Sequence, residues 1–216
     1  MDDKKAVIEQ IYEAFGDNEY PGDNCLQGSF ESCEPYEEIE PFKGRKDWQK
    51  IDSELLDTHS GALNFFSEAG LRFFLPAYLL ADLHDELKSA DPVFVLAHGF
   101  SDLSVNVPTK TRVFVRRTGK TTFVNPKRYG ALTFYDYARW RLSVFTREEA
   151  QAIVAYLRYR SDSDAYNLDK QQIEAALNLH WLERAENAPL AESLKQHQIE
   201  EEEFLAAMSL DVDRDS

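Results

Sequence analysis

LNFFSEAGLRFFLPAYLLADLHDEL, residues 63–87, is the densest apolar run in the chain. Phe65, Phe66, Leu71, Phe73, Phe74, Leu75, Tyr78, Leu79, Leu80, Leu83 and Leu87 all fall within it. Ser67 is placed to cap a helix, its hydroxyl accepting a free first-turn N–H, with Phe66 stapling against Leu71 across the cap. From Leu71 to Leu80 apolar residues cover almost the whole circumference, the mark of a helix buried on most sides. Pro76 removes a backbone donor and crowds the preceding turn, which predicts a kink or short break near Phe74–Leu75. Each buried Leu or Phe side chain contributes roughly 1.5–3 kcal/mol, so the core is expected around this element.

Outward from this centre, Val7, Ile8, Ile11, Tyr12 and Phe15 form one stripe of a helix over 3–15, with Gly16 at its C-terminal cap. Residues 17–44 form a long acidic loop, rich in proline and glycine. Tyr20, Phe30, Tyr36, Ile39 and Phe42 are its means of attachment to the core, giving an ordered but irregular wrap; the alternative is a solvated acidic connector. A helix over Trp48–Thr58 follows, with Asp47 as its cap and Trp48, Ile51 and Leu55 facing inward. Asp91-Pro92 signals another helix start, and VFVLAHGF reads as a short helix ending at Gly99 or, from its β-branched content, as a strand. RVFVRRTGKTTFV, residues 112–124, changes period and predicts a β-hairpin about Thr118-Gly119. Phe134–Phe145 returns to helix. Thr146 and Glu149 spell a capping box for a helix reaching about Arg160, and 168–186 and 190–208 read as a helical pair.

The expected architecture is mainly α (α+β), a multi-helix globule around a kinked helix interrupted at Pro76, with one small hairpin and a C-terminal helical pair. Residues 1–160 make the core domain, 161–210 the pair packed on it, and 211–216 a disordered tail. No apolar run approaches the ~20 residues needed to span a bilayer, and Met1-Asp2-Asp3-Lys4-Lys5 is not an export leader. Cys25 and Cys33 are too few for a disulfide scaffold, so a cytoplasmic setting is expected.

Charge narrows the classes of partner. The chain of 216 residues has 24 basic and 39 acidic side chains and a formal net charge of −15. That balance disfavours generic binding to nucleic acid or anionic membrane. It is uneven, however: Pro108 to Arg147 holds ten Lys/Arg and one acid, Asp136. Arg112, Arg116, Arg117, Lys120, Arg128 and Trp140 stand there among aromatics, a mixture suited to phosphates and stacked bases, and equally to an acidic protein surface. The chain supplies such a surface itself, through Glu37, Glu38 and Glu40 and through Glu200–Glu203. Pairing of these charges within the chain, or between two copies, is therefore preferred over nucleic acid.

Motifs for catalysis fail on inspection. RTGKTT lacks the first P-loop glycine, whose position is held by Phe114. Asp162 and Asp164 open a calcium loop whose turn and closing positions are Asn167 and Ile173. His59, His84, His98, His180 and His197 make no H-x-x-x-H or H-E-x-x-H, the two cysteines make no C-x-x-C, and no G-x-S-x-G occurs. No cofactor and no metal site is expected.

The run ALNFFSEAGLRFFLPAYLLADL, with His59 upstream, resembles the signature of an uncharacterised bacterial family of small acidic proteins, a domain of unknown function. That signature pairs a histidine and Ala-Leu with F-x-[ST]-x-E-[AG]-[FL]-R-[FY]-[FY]-L-P-A-[FY]. The residues carrying it are His59, Ala62, Leu63, Phe66, Glu68, Leu71, Arg72, Phe73, Phe74, Leu75, Pro76, Ala77 and Tyr78. FKGRKDWQKIDSELL and LSVFTREEAQAIVAYLRYR are similar to the family's flanking helices. The resemblance implies architecture and no activity. The function expected is a non-enzymatic interaction module, an immunity, neutralising or regulatory protein that offers an acidic face to a basic partner. The alternatives are an enzyme with an undescribed site at His59, Glu68 and Arg72, and nucleic-acid binding through 110–141.

Overall fold

A computed structural model describes residues 2–30, 32–100, 104–108, 113–117, 134–163 and 169–193. The described part is mainly helical, in the order α1 (Asp2–Phe15), α2 (Glu34–Ile39), α3 (Ser53–Thr58), α4 (Ala62–Phe65), α5 (Glu68–Leu83), α6 (Pro92–Ala97), β1 (Ser104–Pro108), β2 (Val113–Arg117), α7 (Phe134–Arg141), α8 (Arg147–Ser163), α9 (Lys170–Ala176) and α10 (Leu182–Asn187). A π-turn, Leu177–Trp181, joins α9 to α10.

α5 is the buried centre that the sequence predicts. Leu71, Phe73, Phe74, Leu75, Tyr78, Leu79 and Leu83 are each at most 2% exposed. Ser67 caps it, its hydroxyl accepting from the Gly70 N–H at 3.0 Å and donating to the Cys25 carbonyl. Removing both bonds with Ser67→Ala is expected to cost about 1–2 kcal/mol in chemical denaturation, with Ser67→Thr recovering most of it.

The expected break at Pro76 does not occur: α5 runs from Glu68 through Leu83 in one helix. Proline deprives the carbonyl four residues earlier, that of Arg72, of its helical donor. Here Asn18 supplies a substitute, its side-chain amide donating to the Arg72 carbonyl at 3.4 Å while its Oδ1 accepts from the Arg72 guanidinium at 3.0 Å. The orphaned carbonyl is satisfied from outside the helix, so the helix has no need to unwind.

Around α5 the acidic segment is an ordered wrap. Gly28 N–H donates to Phe65 O and Ser67 N–H to Leu26 O, both at 2.7 Å, framing a β-bridge between Gln27 and Phe66. The approach is close enough that a Cβ on Gly28 would stand 2.5 Å from the Phe66 carbonyl oxygen. Leu26, Ile39 and Phe42 are fully buried. Phe42 inserts among Phe66 and Phe74, with ring centroids 5.0 and 5.1 Å away. Tyr20 packs edge-on against Phe73 and Phe74. Phe30 and Tyr36 do not pin the segment: they are 61% and 48% exposed.

α1 packs against α5 and α8, burying Val7, Ile11 and Phe15, whereas Tyr12 lies outside and stacks on Trp48 at 5.7 Å. The single helix expected over Trp48–Thr58 is split. Asp47 caps a short 3-10 turn, Trp48–Lys50; Ile51 is extended, and Asp52 starts α3 anew by accepting the Glu54 N–H at 3.0 Å. Asp52 competes for the backbone donors that a continuous helix would use internally. Leu56 rather than Leu55 then becomes the fully buried residue. Asp91 accepts from the Phe94 N–H at 2.9 Å and α6 is a helix, not a strand.

The Thr146/Glu149 capping box is reciprocal, Glu149 N–H to Thr146 Oγ1 at 3.2 Å and Thr146 N–H to Glu149 Oε2 at 2.8 Å. α8 buries Ile153, Val154 and Leu157 as expected and extends to Ser163. β2 matches the first arm of the expected hairpin, but it pairs antiparallel with β1 upstream, Val105 opposite Arg116 and Val107 opposite Phe114. This pairing does not support the hairpin read about Thr118-Gly119, whose turn and second arm lie outside the described residues. Trp181, Ile173 and Ala176 join the same hydrophobic cluster as α1 and α5, the Trp181 indole donating to Leu96 O at 2.9 Å. The second helix expected at 190–208 lies outside the described residues beyond Ser193, as do residues 211–216.

Candidate functional site

Arg72 leaves the polar stripe of α5 for α8. Its Nε reaches both Glu149 carboxylate oxygens, at 2.9 and 2.8 Å, and Glu149 is completely buried. Ten residues further along α5, Asp82 accepts from the Tyr156 hydroxyl at 2.5 Å and meets Arg160 Nε at 3.3 Å. The two clamps ascend both helices together, so α5 and α8 run in the same direction. Burial pushes the Asp82 carboxyl above its usual range, against the opposing pull of the Tyr156 hydrogen bond and Arg160. Burial also drives the Tyr156 phenol well up.

His59 lies away from this pair. It is the C-cap of α3, not the start of α5; its carbonyl accepts from the Tyr78 hydroxyl at 3.4 Å, and its ring meets Phe42 edge-on. His59 Nδ1 stands 3.9 Å from Glu38 Oε1, while Glu38 Oε2 is buried with no hydrogen-bond partner among the described residues. Burial, and then the Glu38 charge, hold the Tyr78 phenol far above its ordinary range. Glu68 opens α5 and is 4% exposed, favourably placed against the positive end of the helix dipole. No hydrogen bond or ion pair joins His59, Glu68 and Arg72 to one another among the described residues, and Pro76 is buried in the core.

Of the acidic candidates, Glu37 and Glu38 lie on α2 and Glu40 follows it directly in a 3-10 turn. Glu37 and Glu40 are exposed and Glu38 half-buried; Glu40 pairs with Lys43 at 2.5 Å, whereas Glu34 and Glu37 carry no ion pair among the described residues. Beside them Phe30 and Tyr36 contact each other edge to face, centroids 6.2 Å apart, and are the most exposed aromatic pair described. The sequence offers both rings as anchors to the core, with a solvated connector as the alternative, and neither expectation pairs them with each other at the surface.

Among the basic candidates, Trp140 is on α7 and Arg116 and Arg117 on β2; Arg112, Lys120 and Arg128 lie outside the described residues. Arg141 is 8% exposed and donates to Leu63 O at 2.5 Å and Phe66 O at 3.4 Å. Arg141, from the basic stretch, thus closes carbonyls at the C-terminal end of α4. Arg184 does likewise for Ser143 O and Phe145 O, at 2.6 and 2.7 Å. Asp57, unremarked in the sequence, accepts from the N–H groups of Lys88, Ser89 and Ala90. These bonds, Ser89 and Lys88 foremost, hold its carboxyl below the usual range.

The geometry is that of a frame with one decorated face, and a family model covers almost all of it: the family of unknown function DUF6714 matches residues 3–185. The chain belongs to that family. Registered on Ser67, Leu71 and Pro76, the block read from the sequence puts its glutamate at position 69, where this DUF6714 chain has Ala69 and carries Glu68 one residue early. No curated protein and no solved structure matches the chain. Among the described residues of this DUF6714 chain no helix is long and apolar enough to cross a membrane.

Proposed function

We propose that this DUF6714 protein is a non-enzymatic cytoplasmic interaction module of bacterial origin that presents α2 and the preceding turn to a basic protein. An immunity or neutralising protein, or a regulator, would use such a face. The exposed Phe30–Tyr36 pair carries the reading: Phe15, Phe42, Phe66, Phe73, Phe74, Phe100 and Phe145 are buried, yet these two rings stand outside the core. Aromatic anchors supply most interface energy, and the uncompensated Glu34 and Glu37 beside them suit lysine and arginine on the other side. The net charge of −15 adds long-range attraction for a cationic partner.

Affinity capture from host extract in about 50 and about 300 mM salt, with Phe30→Ala/Tyr36→Ala as the matched bait, tests this. The expected partner is basic, is released by the higher salt, and binds the double variant at least ~10-fold more weakly. Absence of any such partner, or equal retention by the double variant, overturns the reading. Both side chains are solvent-facing, so the variant is expected to keep the wild-type unfolding midpoint.

A further inference from the structure

Between Pro41 and Ile51 the charge of the chain reverses: Lys43, Arg45, Lys46 and Lys50 stand against the single acid Asp47. The backbone draws them together. Gly44 adopts φ +73, the left-handed region that glycine enters without strain, and its N–H is held by the Tyr20 hydroxyl at 3.0 Å and Asp23 Oδ1 at 2.9 Å. Lys46 N–H folds back onto Gly44 O at 3.1 Å, and Arg45 N–H onto Phe42 O at 3.2 Å. Phe42 on one side and Trp48 on the other are buried anchors, so the exposed turn between them is fixed at both ends. The Tyr20 phenol, pushed up to about 12 by burial and its hydrogen bond to Asp23, remains a hydroxyl at neutral pH and keeps the turn tied.

The result is an open hollow of about 360 Å³ whose rim includes the four cations, with Pro41 and Ile51 as half-buried apolar walls. Two of the cations are compensated: Lys43 by Glu40 at 2.5 Å and Lys50 by Asp47 at 2.6 Å. Lys46 has no ion pair among the described residues. Arg45 is tethered only through Nε, to Pro41 O at 3.1 Å, with no carboxylate on its guanidinium. The Asp23 carboxylate, bound to the Gly44 N–H of the same turn, acts on Lys43 and Lys46 through space. Among the described residues, however, neither Arg45 nor Lys46 is held in an ion pair, and two such cations on adjacent residues of one fixed turn suit a phosphate monoester dianion. The guanidinium can take two of its oxygens and the ammonium the third. The hollow is several times larger than a phosphate ion, and its apolar walls suit a ring or sugar attached to that phosphate.

We infer that this hollow binds a small soluble phosphate-bearing molecule of about nucleotide size, with Arg45 and Lys46 holding the phosphate. The site is distinct from the α2 face and does not depend on the partner proposed for it. A phospholipid headgroup shares the chemistry, but a chain of net charge −15 is repelled by an anionic bilayer, which favours the soluble ligand.

Calorimetric titration at low salt with adenosine monophosphate, inorganic phosphate and adenosine tests the inference, together with flotation on phosphatidylglycerol vesicles. Submillimolar binding of the nucleotide, weaker binding of phosphate and none of adenosine or vesicles is expected. Arg45→Ala/Lys46→Ala should weaken nucleotide binding at least ~10-fold, and Arg45→Lys/Lys46→Arg should retain most of it. Lys4→Ala/Lys5→Ala on α1, which removes the same net charge elsewhere, should leave it unchanged. No nucleotide binding, binding unaltered by Arg45→Ala/Lys46→Ala, equal weakening by the α1 variant, or vesicle binding in place of nucleotide binding would each overturn it.

Discussion

Glu149→Ala is expected to destabilise the protein by about 3–5 kcal/mol, read as a fall in the equilibrium denaturation midpoint at unchanged slope. Glu149 makes three bonds from a fully buried position: two to the Arg72 Nε and one to the Thr146 N–H. Alanine removes the charge opposite Arg72, whose side chain is 14% exposed and keeps, among the described residues, Asn18 as its side-chain partner. It also opens one half of the capping box of α8. Desolvation of the stranded guanidinium is the larger effect, because a lost cap alone costs typically ~1 kcal/mol. Two further variants separate the causes. Glu149→Gln preserves an acceptor for Thr146 N–H and removes only the charge, so it should retain part of the stability. Arg72→Met/Glu149→Met replaces the ion pair by apolar groups and should recover most of the loss, since the double replacement strands no charge. A Glu149→Ala cost below about 1 kcal/mol would show that the clamp between α5 and α8 contributes little.

That clamp marks where the sequence is readable and where it is not. The Ser67, Asp91 and Thr146/Glu149 caps were legible because capping is local chemistry, complete within four residues. The buried circumference of α5 was legible because nothing but a core tolerates that density of Leu and Phe. The continuity of α5 through Pro76 was not, since the rescuing donor, Asn18, lies more than fifty residues upstream. The second use of Glu149 was hidden for the same reason: a capping-box glutamate gives no sign that an arginine 77 residues away will share it. Asp52 could have been seen as a rival cap within 48–58, but deciding between Asp47 and Asp52 needs the buried position of Trp48. Phe30 and Tyr36 lie in a segment without periodicity, where hydrophobicity alone does not say which rings turn inward. The charge reversal at Lys43–Lys50 is visible in the sequence, whereas the hollow depends on the fold of the turn at Gly44, which Tyr20 and Asp23 hold from more than twenty residues upstream.

The second large effect concerns acid. Stability is expected to fall by roughly 2–3 kcal/mol between about pH 7.5 and pH 4.5 through His180 alone. His180 sits in the π-turn, 4% exposed, stacked on Phe100 at 5.1 Å and edge-on to Trp181, with Nε2 lacking a hydrogen-bond partner among the described residues. Burial first, and then the cations Arg184 and Arg139 on α10 and α7, hold its pKa down at about 4 against an ordinary 6.5; a hydrogen bond to the Leu142 backbone opposes them. The folded state therefore binds the proton less readily than the unfolded chain. Its contribution is whole above about pH 6.5, is lost progressively as the pH falls towards 4, and changes no further below that. Asp82, whose carboxyl is raised by burial, acts in the opposite sense and regains stability on acidification. The comparison must therefore be with a variant that cannot titrate at position 180. His180→Phe keeps an aromatic ring against Phe100 and Trp181, and its stability should decline less over this window, the gap from wild type narrowing or reversing as the pH drops. Parallel profiles for the two proteins would mean that His180 takes up its proton equally well in both states, and that a route to solvent or an acceptor for Nε2 exists in the fold.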